Sequence, residues 1–164
     1  MEKLLFKVYK SRSLTGLFKI ISKTAVAISL LAYAALLFHS FYSSVYEGLS
    51  VLLSAALPFF LIGAVRLMID APRPYELYSF YEIKPKERVG KSFPSRHAYS
   101  AFVIATLACC YSIPFGIALL FVATLLSLSR VLLGIHFPRD VIAGATFGVV
   151  SGILGILFLV LPNS

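Results

Sequence analysis

The chain has 164 residues, of which 59% are hydrophobic and 13% charged, and its formal net charge is +8. This composition is far from that of a soluble globular domain and indicates a single-domain integral membrane protein. A nucleic-acid-binding function is not expected, because the basic residues border apolar segments and form neither a basic helix nor an aromatic platform. Anionic lipid in the bilayer is the expected partner.

The first predicted element is a short amphipathic helix. Residues 1–16 place Lys3, Lys7 and Lys10 opposite apolar residues with a helical period, which is typical of a helix that lies on the membrane surface. The first span follows at about 18–41, and at ~1.5 Å per residue it can cross the ~30 Å hydrocarbon core. A signal peptide is the competing interpretation, but the long basic region and the indistinct cleavage site disfavour it.

Further apolar segments predict four more spans, at about 49–69, 95–111, 115–133 and 138–161. Residues 71–94 are too polar to span and combine prolines and aromatic residues with lysines and arginines, so they are predicted to form an interfacial loop. The sequence therefore predicts an all-α integral membrane protein, a bundle of about five transmembrane helices in one domain.

No metal or cofactor site is predicted. Cys109 and Cys110 are adjacent inside an apolar segment, where they pack as small hydrophobic residues more readily than they form a disulfide. The three histidines, His39, His97 and His136, lie far apart and no acidic cluster accompanies them, so zinc-ligand spacing is missing. We expect a metal-independent chemistry.

The basic residues also predict an orientation. All 15 Lys and Arg residues lie in the N-terminal segment, in region 66–96 or in region 130–139. Five crossings would put these regions on one face, whereas segments 39–48, 112–114 and 162–164 on the other face carry none. The positive-inside rule then places the N-terminus and the basic face in the cytoplasm of a multi-pass cell-membrane protein.

The joint between the fourth and fifth predicted spans carries the strongest functional signal. Gly134 suits the end of one helix and Pro138 the first turn of the next, so His136 lies in a short joint. The carboxylate of Asp140 could accept a hydrogen bond from one imidazole nitrogen and leave the other basic, as a nucleophile or base requires. The alternative is a His and an Asp that only cap helices.

Other groups on the same face suit an anion. Arg130 could hold two oxygens of a phosphate. Arg66 and Arg73 are seven residues apart, about two helical turns, so both could point to one side. Ser95 is a good N-cap for the third span, whose free N–H groups would favour an anion beside His97. Each group alone is equally compatible with interfacial anchoring or capping, but together they favour a phosphate site.

The order of these residues resembles the three-part signature of the type 2 phosphatidic acid phosphatase (PAP2) superfamily. The matching segments are Arg66-x6-Arg73-Pro74, Pro94-Ser95-Arg96-His97 and Ser129-Arg130-x5-His136-x3-Asp140. The family pattern is Lys-x6-Arg-Pro, Pro-Ser-Gly-His and Ser-Arg-x5-His-x3-Asp, with the same spacing in all three parts. The resemblance implies a helical-bundle membrane phosphatase that acts on lipid phosphates without a metal, through a phosphohistidine intermediate.

The resemblance also implies a role for each residue. His136 would be the nucleophile, Asp140 its orienting carboxylate and His97 the acid that protonates the leaving oxygen. The phosphate would be bound by Arg66, Arg73, Ser95, Arg96 and Arg130. Two positions depart from the family pattern. Arg66 stands where the pattern has lysine, which keeps the charge and adds a bidentate fork. Arg96 stands where the pattern has glycine. The added cation at Arg96 would contact a second phosphate or reach solvent.

The expected function is removal of a terminal phosphate from a membrane lipid. Phosphatidylglycerol phosphate, phosphatidic acid and undecaprenyl diphosphate are candidate substrates, among which the sequence does not choose. One alternative is a non-catalytic protein that binds anionic lipid or acts as a scaffold, which the complete set of His97, His136 and Asp140 disfavours. A transporter of phosphorylated solutes is disfavoured because the spans are short and lack paired repeats. The sequence gives no indication of oligomeric state.

Overall fold

The computed structural model describes residues 1–79 and 89–160, except for the side chains of the last two. Residues 80–88 of the predicted interfacial loop and the predicted end of the fifth span at residue 161 lie outside these ranges. In the described ranges the regular structure is helical throughout. The helices are α1 (Glu2–Lys10), α2 (Arg12–Ser43), α3 (Val45–Ile69), α4 (Pro74–Leu77), α5 (Arg96–Tyr111), α6 (Ile113–Leu132) and α7 (Pro138–Val160).

The prediction of an all-α membrane bundle is confirmed. In the described part of the chain, four segments are long and apolar enough to cross a membrane: Arg12–Ser43, Val45–Leu77, Ile113–Leu132 and Pro138–Phe158. Large apolar side chains are exposed on the outer faces of these segments, as contact with lipid requires; examples are Leu31, Phe38, Phe60, Phe121 and Phe158.

The third predicted span, α5, is a shorter and more buried helix. It has 16 residues, about 24 Å of helix at the usual rise. At its start the backbone N–H of Ser95 donates to the carbonyl of Asp140 (2.9 Å). At its end the hydroxyl of Tyr111 lies 2.7 Å from that of Ser40, near the end of α2. Helix α5 therefore runs from one end of the bundle to the other.

Serine caps set the boundaries near the N-terminus. The hydroxyl of Ser11 accepts a hydrogen bond from the backbone of Leu14 (3.3 Å), so α1 ends at Lys10 and the long helix α2 begins before the predicted start at residue 18. Helix α1 packs against α2 and α6, with Leu5 and Val8 buried. Leu4 (52% exposed) and Phe6 (45%) stay outside this contact, so the bundle covers only part of the apolar surface of α1.

Close packing between α5 and α7 aligns their first turns. Glycines 144, 148 and 152 of α7 face α5 so closely that an added Cβ would collide with Ser95 O, Tyr99 O and the side chain of Thr106 respectively. Small residues of this kind let two membrane helices approach with their backbones nearly in contact. As a result, the start of α7 lies beside the start of α5.

Candidate active site

Four helix ends meet at one end of the bundle. Helices α3 and α6 end there, and α5 and α7 begin there. Their polar side chains are buried despite their charge: Arg66 is 6% exposed, Arg73 4%, Arg130 8%, His136 2% and Asp140 0%. Buried charges at such a depth are costly unless they have a function or a partner.

The joint that carries His136 has the predicted form. Helix α6 ends at Leu132, and Gly134 adopts a φ of 69°, a left-handed conformation that glycine adopts readily. The backbone N–H groups of Ile135 and His136 then both donate to the carbonyl of Arg130, at 3.0 and 3.3 Å. Because Pro138 starts α7 immediately afterwards, the imidazole is held in a tight, buried turn.

His136 and Asp140 are close but not directly hydrogen-bonded. Nδ1 of His136 lies 3.7 Å from Oδ2 of Asp140, which is longer than a hydrogen bond. The same carboxylate oxygen accepts from the backbone N–H of Phe137 (2.9 Å) and from the hydroxyl of Ser92 (2.5 Å). The Ser92 hydroxyl is also 3.3 Å from Nδ1 of His136. Sequence reasoning missed Ser92, because a serine in a polar loop has many ordinary uses.

Two arginines of the site hold the segment that leads into α5. Arg66 NH1 donates to the carbonyls of Pro94 (2.6 Å) and Ser92 (3.3 Å). The Nε of Arg73 donates to the carbonyl of Gly90 (3.0 Å). Arg73 and Arg130 act on the His136 imidazole with their positive charges, and Arg66 acts on His97. The site is therefore suited to a phosphate.

A contact with Arg130 determines the tautomer of neutral His97. Arg130 NH2 lies 3.2 Å from Nδ1 of His97, and a guanidinium group can donate but not accept hydrogen bonds. Nδ1 must therefore be the acceptor, which leaves the ring proton of neutral His97 on Nε2. His97 also lines the groove described next.

An apolar groove leads away from His97 along the bundle. It has a volume of about 260 Å³ and is formed by side chains of α2, α3, α5 and α6, chiefly Val26, Leu30, Phe59, Ala101, Ile104 and Leu126. Arg96 and His97 also line it. The guanidinium carbon of Arg96 lies 5.4 Å from the centre of the Phe59 ring, within the range of a cation–π contact.

Ser95 has the predicted capping position. It is fully buried, and its hydroxyl accepts from the backbone N–H of Ala98 (3.4 Å). The N-terminus of α5 lies next to the joint with His136, where the helix dipole favours an anion. The structure thus brings the predicted site residues to one end of the bundle, with Arg96 directed toward Phe59 in the groove.

The surroundings of His136 keep its imidazole neutral. Burial lowers the pKa of His136, and the cations of Arg73 and Arg130 lower it further, while Asp140 acts in the opposite direction. A neutral imidazole with a free nitrogen is the nucleophilic form. The site therefore combines a buried, neutral imidazole with groups suited to bind negative charge.

Comparison with known proteins identifies relatives with phosphatase chemistry. A family model described as the PAP2 superfamily matches residues 47–161. A lipid A 1-phosphatase from Porphyromonas gingivalis is 32% identical over 112 residues, which are 64% of this chain and 23% of that protein. The chain therefore spans less than a quarter of the length of this relative.

Two solved structures have a similar fold. The crystal structure of Aquifex aeolicus LpxE gives a TM-score of 0.71 at 26% identity, with 89% of this chain and 87% of that chain covered. A PAP2-type phosphatidylglycerolphosphate phosphatase from Bacillus subtilis gives a TM-score of 0.68 at 21% identity, with 94% and 82% covered. At this lower identity the second likeness concerns the fold alone.

Proposed function

The chain belongs to the PAP2 superfamily, and from this membership we propose that it hydrolyses a terminal phosphate of a membrane lipid through a phosphohistidine intermediate, without a metal. The observation that carries this proposal is the burial of His136 beside Asp140 and three arginines at one end of a membrane bundle. A scaffold that only binds anionic lipid would have no use for a buried neutral imidazole at the centre of this cluster.

In the first step Nε2 of His136 attacks the phosphorus atom as the bond to the lipid oxygen breaks. Arg66, Arg73 and Arg130 compensate the charge that spreads over the transferred phosphoryl group. Protonated His97 donates its proton to the leaving oxygen, so the lipid departs as a neutral alcohol or as a shorter phosphate. In the second step water attacks the phosphohistidine, His97 takes the proton of that water, and inorganic phosphate is released.

His97 needs a second proton to act as the acid in the first step. In the resting structure Arg130 donates to its Nδ1 (3.2 Å), which disfavours protonation there. Phosphate oxygens compete for the same guanidinium group, since charge-assisted hydrogen bonds to an anion are stronger than one to a neutral imidazole. Substrate binding would therefore free Nδ1 to accept a proton.

The groove beside His97 supports a lipid substrate. It is lined mainly by apolar side chains and contains His97 itself, so a hydrocarbon chain in the groove would bring its attached oxygen to the proposed acid. Arg96 lies along the same path and would contact a second anionic group of the headgroup. Phosphatidylglycerol phosphate, phosphatidic acid and undecaprenyl diphosphate remain the candidate substrates.

Charge also supports the proposed metal independence. A divalent cation placed beside His136 would face the guanidinium groups of Arg66, Arg73 and Arg130, which repel it. These three groups supply the positive charge that a metal ion provides in other phosphatases. We further propose that the site faces the cytoplasm, where it would act on lipids of the inner leaflet.

The test is phosphate release from a panel of lipid phosphates in detergent with EDTA present. We expect release by the wild type, inhibition by vanadate as a transition-state mimic, and a loss of ~10³-fold or more in His136→Ala. The His97→Ala variant should lose ~10²- to 10⁴-fold on lipid substrates but less on an aryl phosphate, whose leaving group needs little acid assistance. Absence of release from every lipid would favour the non-catalytic alternative, and activity restored by a divalent metal would contradict the metal-free chemistry.

A further inference from the structure

We propose that Ser92 is a positioning residue that links Asp140 to His136, so that the nucleophile is oriented through a serine hydroxyl and not by the carboxylate directly. The catalytic consequence rests on the proposed function, whereas the hydrogen-bonding arrangement does not. Ser92 lies outside the residues that the family motif identifies, and no role for it follows from the sequence.

The distances place the Ser92 hydroxyl between the two groups. It is 2.5 Å from Oδ2 of Asp140 and 3.3 Å from Nδ1 of His136. The direct separation of Nδ1 and Oδ2 is 3.7 Å. All three side chains are buried, with exposures of 0%, 0% and 2% for Ser92, Asp140 and His136, so bulk water does not compete for these hydrogen bonds.

The number of available protons decides the direction of each bond. An ionised carboxylate only accepts, so the single hydroxyl proton of Ser92 goes to Asp140. The lone pairs of the hydroxyl are then directed to His136, whose Nδ1 must carry the ring proton and donate it. Nε2 is left unprotonated, which is the nitrogen that attacks phosphorus in the proposed reaction.

The backbone of Ser92 is held by groups of the first motif. Its N–H donates to the carbonyl of Ala71 (2.8 Å), and its carbonyl accepts from Arg66 NH1 (3.3 Å). Arg66 also binds the carbonyl of Pro94 (2.6 Å). The arginine that departs from the family lysine thus fixes the residue that orients the nucleophile, and its several N–H donors suit this task.

The tautomer of His136 tests the arrangement directly. The chain has three histidines, so the ring signals of ¹⁵N-histidine-labelled protein in detergent can be assigned with single His→Gln variants. At neutral pH we expect the wild type to show His136 protonated on Nδ1 and unprotonated on Nε2. We expect Ser92→Ala to show a mixture of the two tautomers. A wild type protonated on Nε2, or a Ser92→Ala variant with the wild-type tautomer, would overturn the proposal.

Kinetics test the consequence for catalysis. Ser92→Ala should lower kcat by about ten- to a hundredfold with little change in KM, the size of effect seen when a partner that orients a reactive side chain is lost. Ser92→Thr, which keeps the hydroxyl, should recover most of the loss. The matched control is Ser40→Ala, a serine equally buried at 0% exposure but at the opposite end of the bundle.

These measurements separate the two proposals. An inactive wild type with the expected His136 tautomer would contradict the phosphatase function and keep the Ser92 arrangement. An active wild type whose kcat is unchanged in Ser92→Ala would keep the function and overturn the role of Ser92.

Discussion

His136 is surrounded by groups that disfavour its charged form. Burial lowers the pKa of His136, and the cations of Arg73 and Arg130 lower it further, whereas Asp140 raises it. His97 on α5 is a further titratable group close to this imidazole. Because the ordinary pKa is about 6.5, the neutral form of His136 should persist as the pH falls through that value. The unfolded chain binds the proton first, so this group also makes folding less favourable below pH ~6.5.

The shift can be measured on the histidine itself. In an NMR titration of labelled protein in detergent, the midpoint for His136 should lie below 6.5, and Arg73→Gln should raise it because one neighbouring cation is removed. Arg12→Gln serves as the control, since this arginine is exposed at the start of α2 and lies outside the cluster of residues around His136. A wild-type midpoint at or above the ordinary value would contradict the description of the site.

Much of the residue-level picture follows from motif spacing, and part of it cannot. The motif spacing predicts that the charged site residues meet, because each lies near the end of an apolar span on the same face of the membrane. These residues are Arg66, Arg73, His97, Arg130 and His136. The interposed hydroxyl of Ser92 depends on how residues 89–95 pack against Ala71 and Asp140. Spacing along the chain carries no information about this packing.

At the level of helices, contact between α5 and α7 controls the geometry of the site. An added Cβ at Gly148 would meet the backbone of Tyr99 and Val103, so the two helices would have to separate. Because the start of α5 is hydrogen-bonded to the start of α7 through Ser95 and Asp140, separation would also displace His136 from its partners.

We therefore expect Gly148→Ala to lower both stability and activity. Overpacking of this kind typically costs about 1–3 kcal/mol, which a thermal unfolding assay in detergent would detect as a lower Tm. The matched control is Gly63→Ala in α3, where an added Cβ meets nothing within 4 Å and alanine is the better helix former. Equal Tm values for the two variants would contradict the packing argument.

Helix boundaries were predicted less well than the all-helical membrane fold. The first span was predicted to begin at about residue 18, with Lys19 and Lys23 near its start, because charge is costly in hydrocarbon, yet α2 continues back to Arg12. Capping by Ser11 determines that boundary. Hydropathy reports where a helix contacts lipid, whereas capping determines where the helix ends.

At the scale of the whole molecule, charge divides the two ends of the bundle. The Ser44 joint between α2 and α3 lies at the end without Lys or Arg, and the site lies at the other. The orientation in the membrane can be tested with single cysteines at Ser43 and Val89, which are both exposed, in a variant whose Cys109 and Cys110 are replaced by Ala.

A membrane-impermeant maleimide on intact cells should label position 43 and spare position 89, as the positive-inside rule requires. The reverse pattern would overturn the cytoplasmic orientation and leave the chemistry intact.

Because α5 is short, we expect the turnover rate to depend on the thickness of the bilayer. Its 16 residues cover about 24 Å, against a hydrocarbon core of ~30 Å, and its first turn carries His97. If the far end of α5 lies at the opposite interface, the site lies below the average headgroup plane. Either the surrounding bilayer must become thinner or the substrate headgroup must move below that plane to reach the site. In proteoliposomes, turnover should rise from dierucoyl through dioleoyl to dimyristoyl phosphatidylcholine, whereas detergent-solubilised enzyme should show no such order. Equal turnover in the three membranes would mean that hydrophobic mismatch does not govern access, and the reverse order would mean that the site stands above the headgroups.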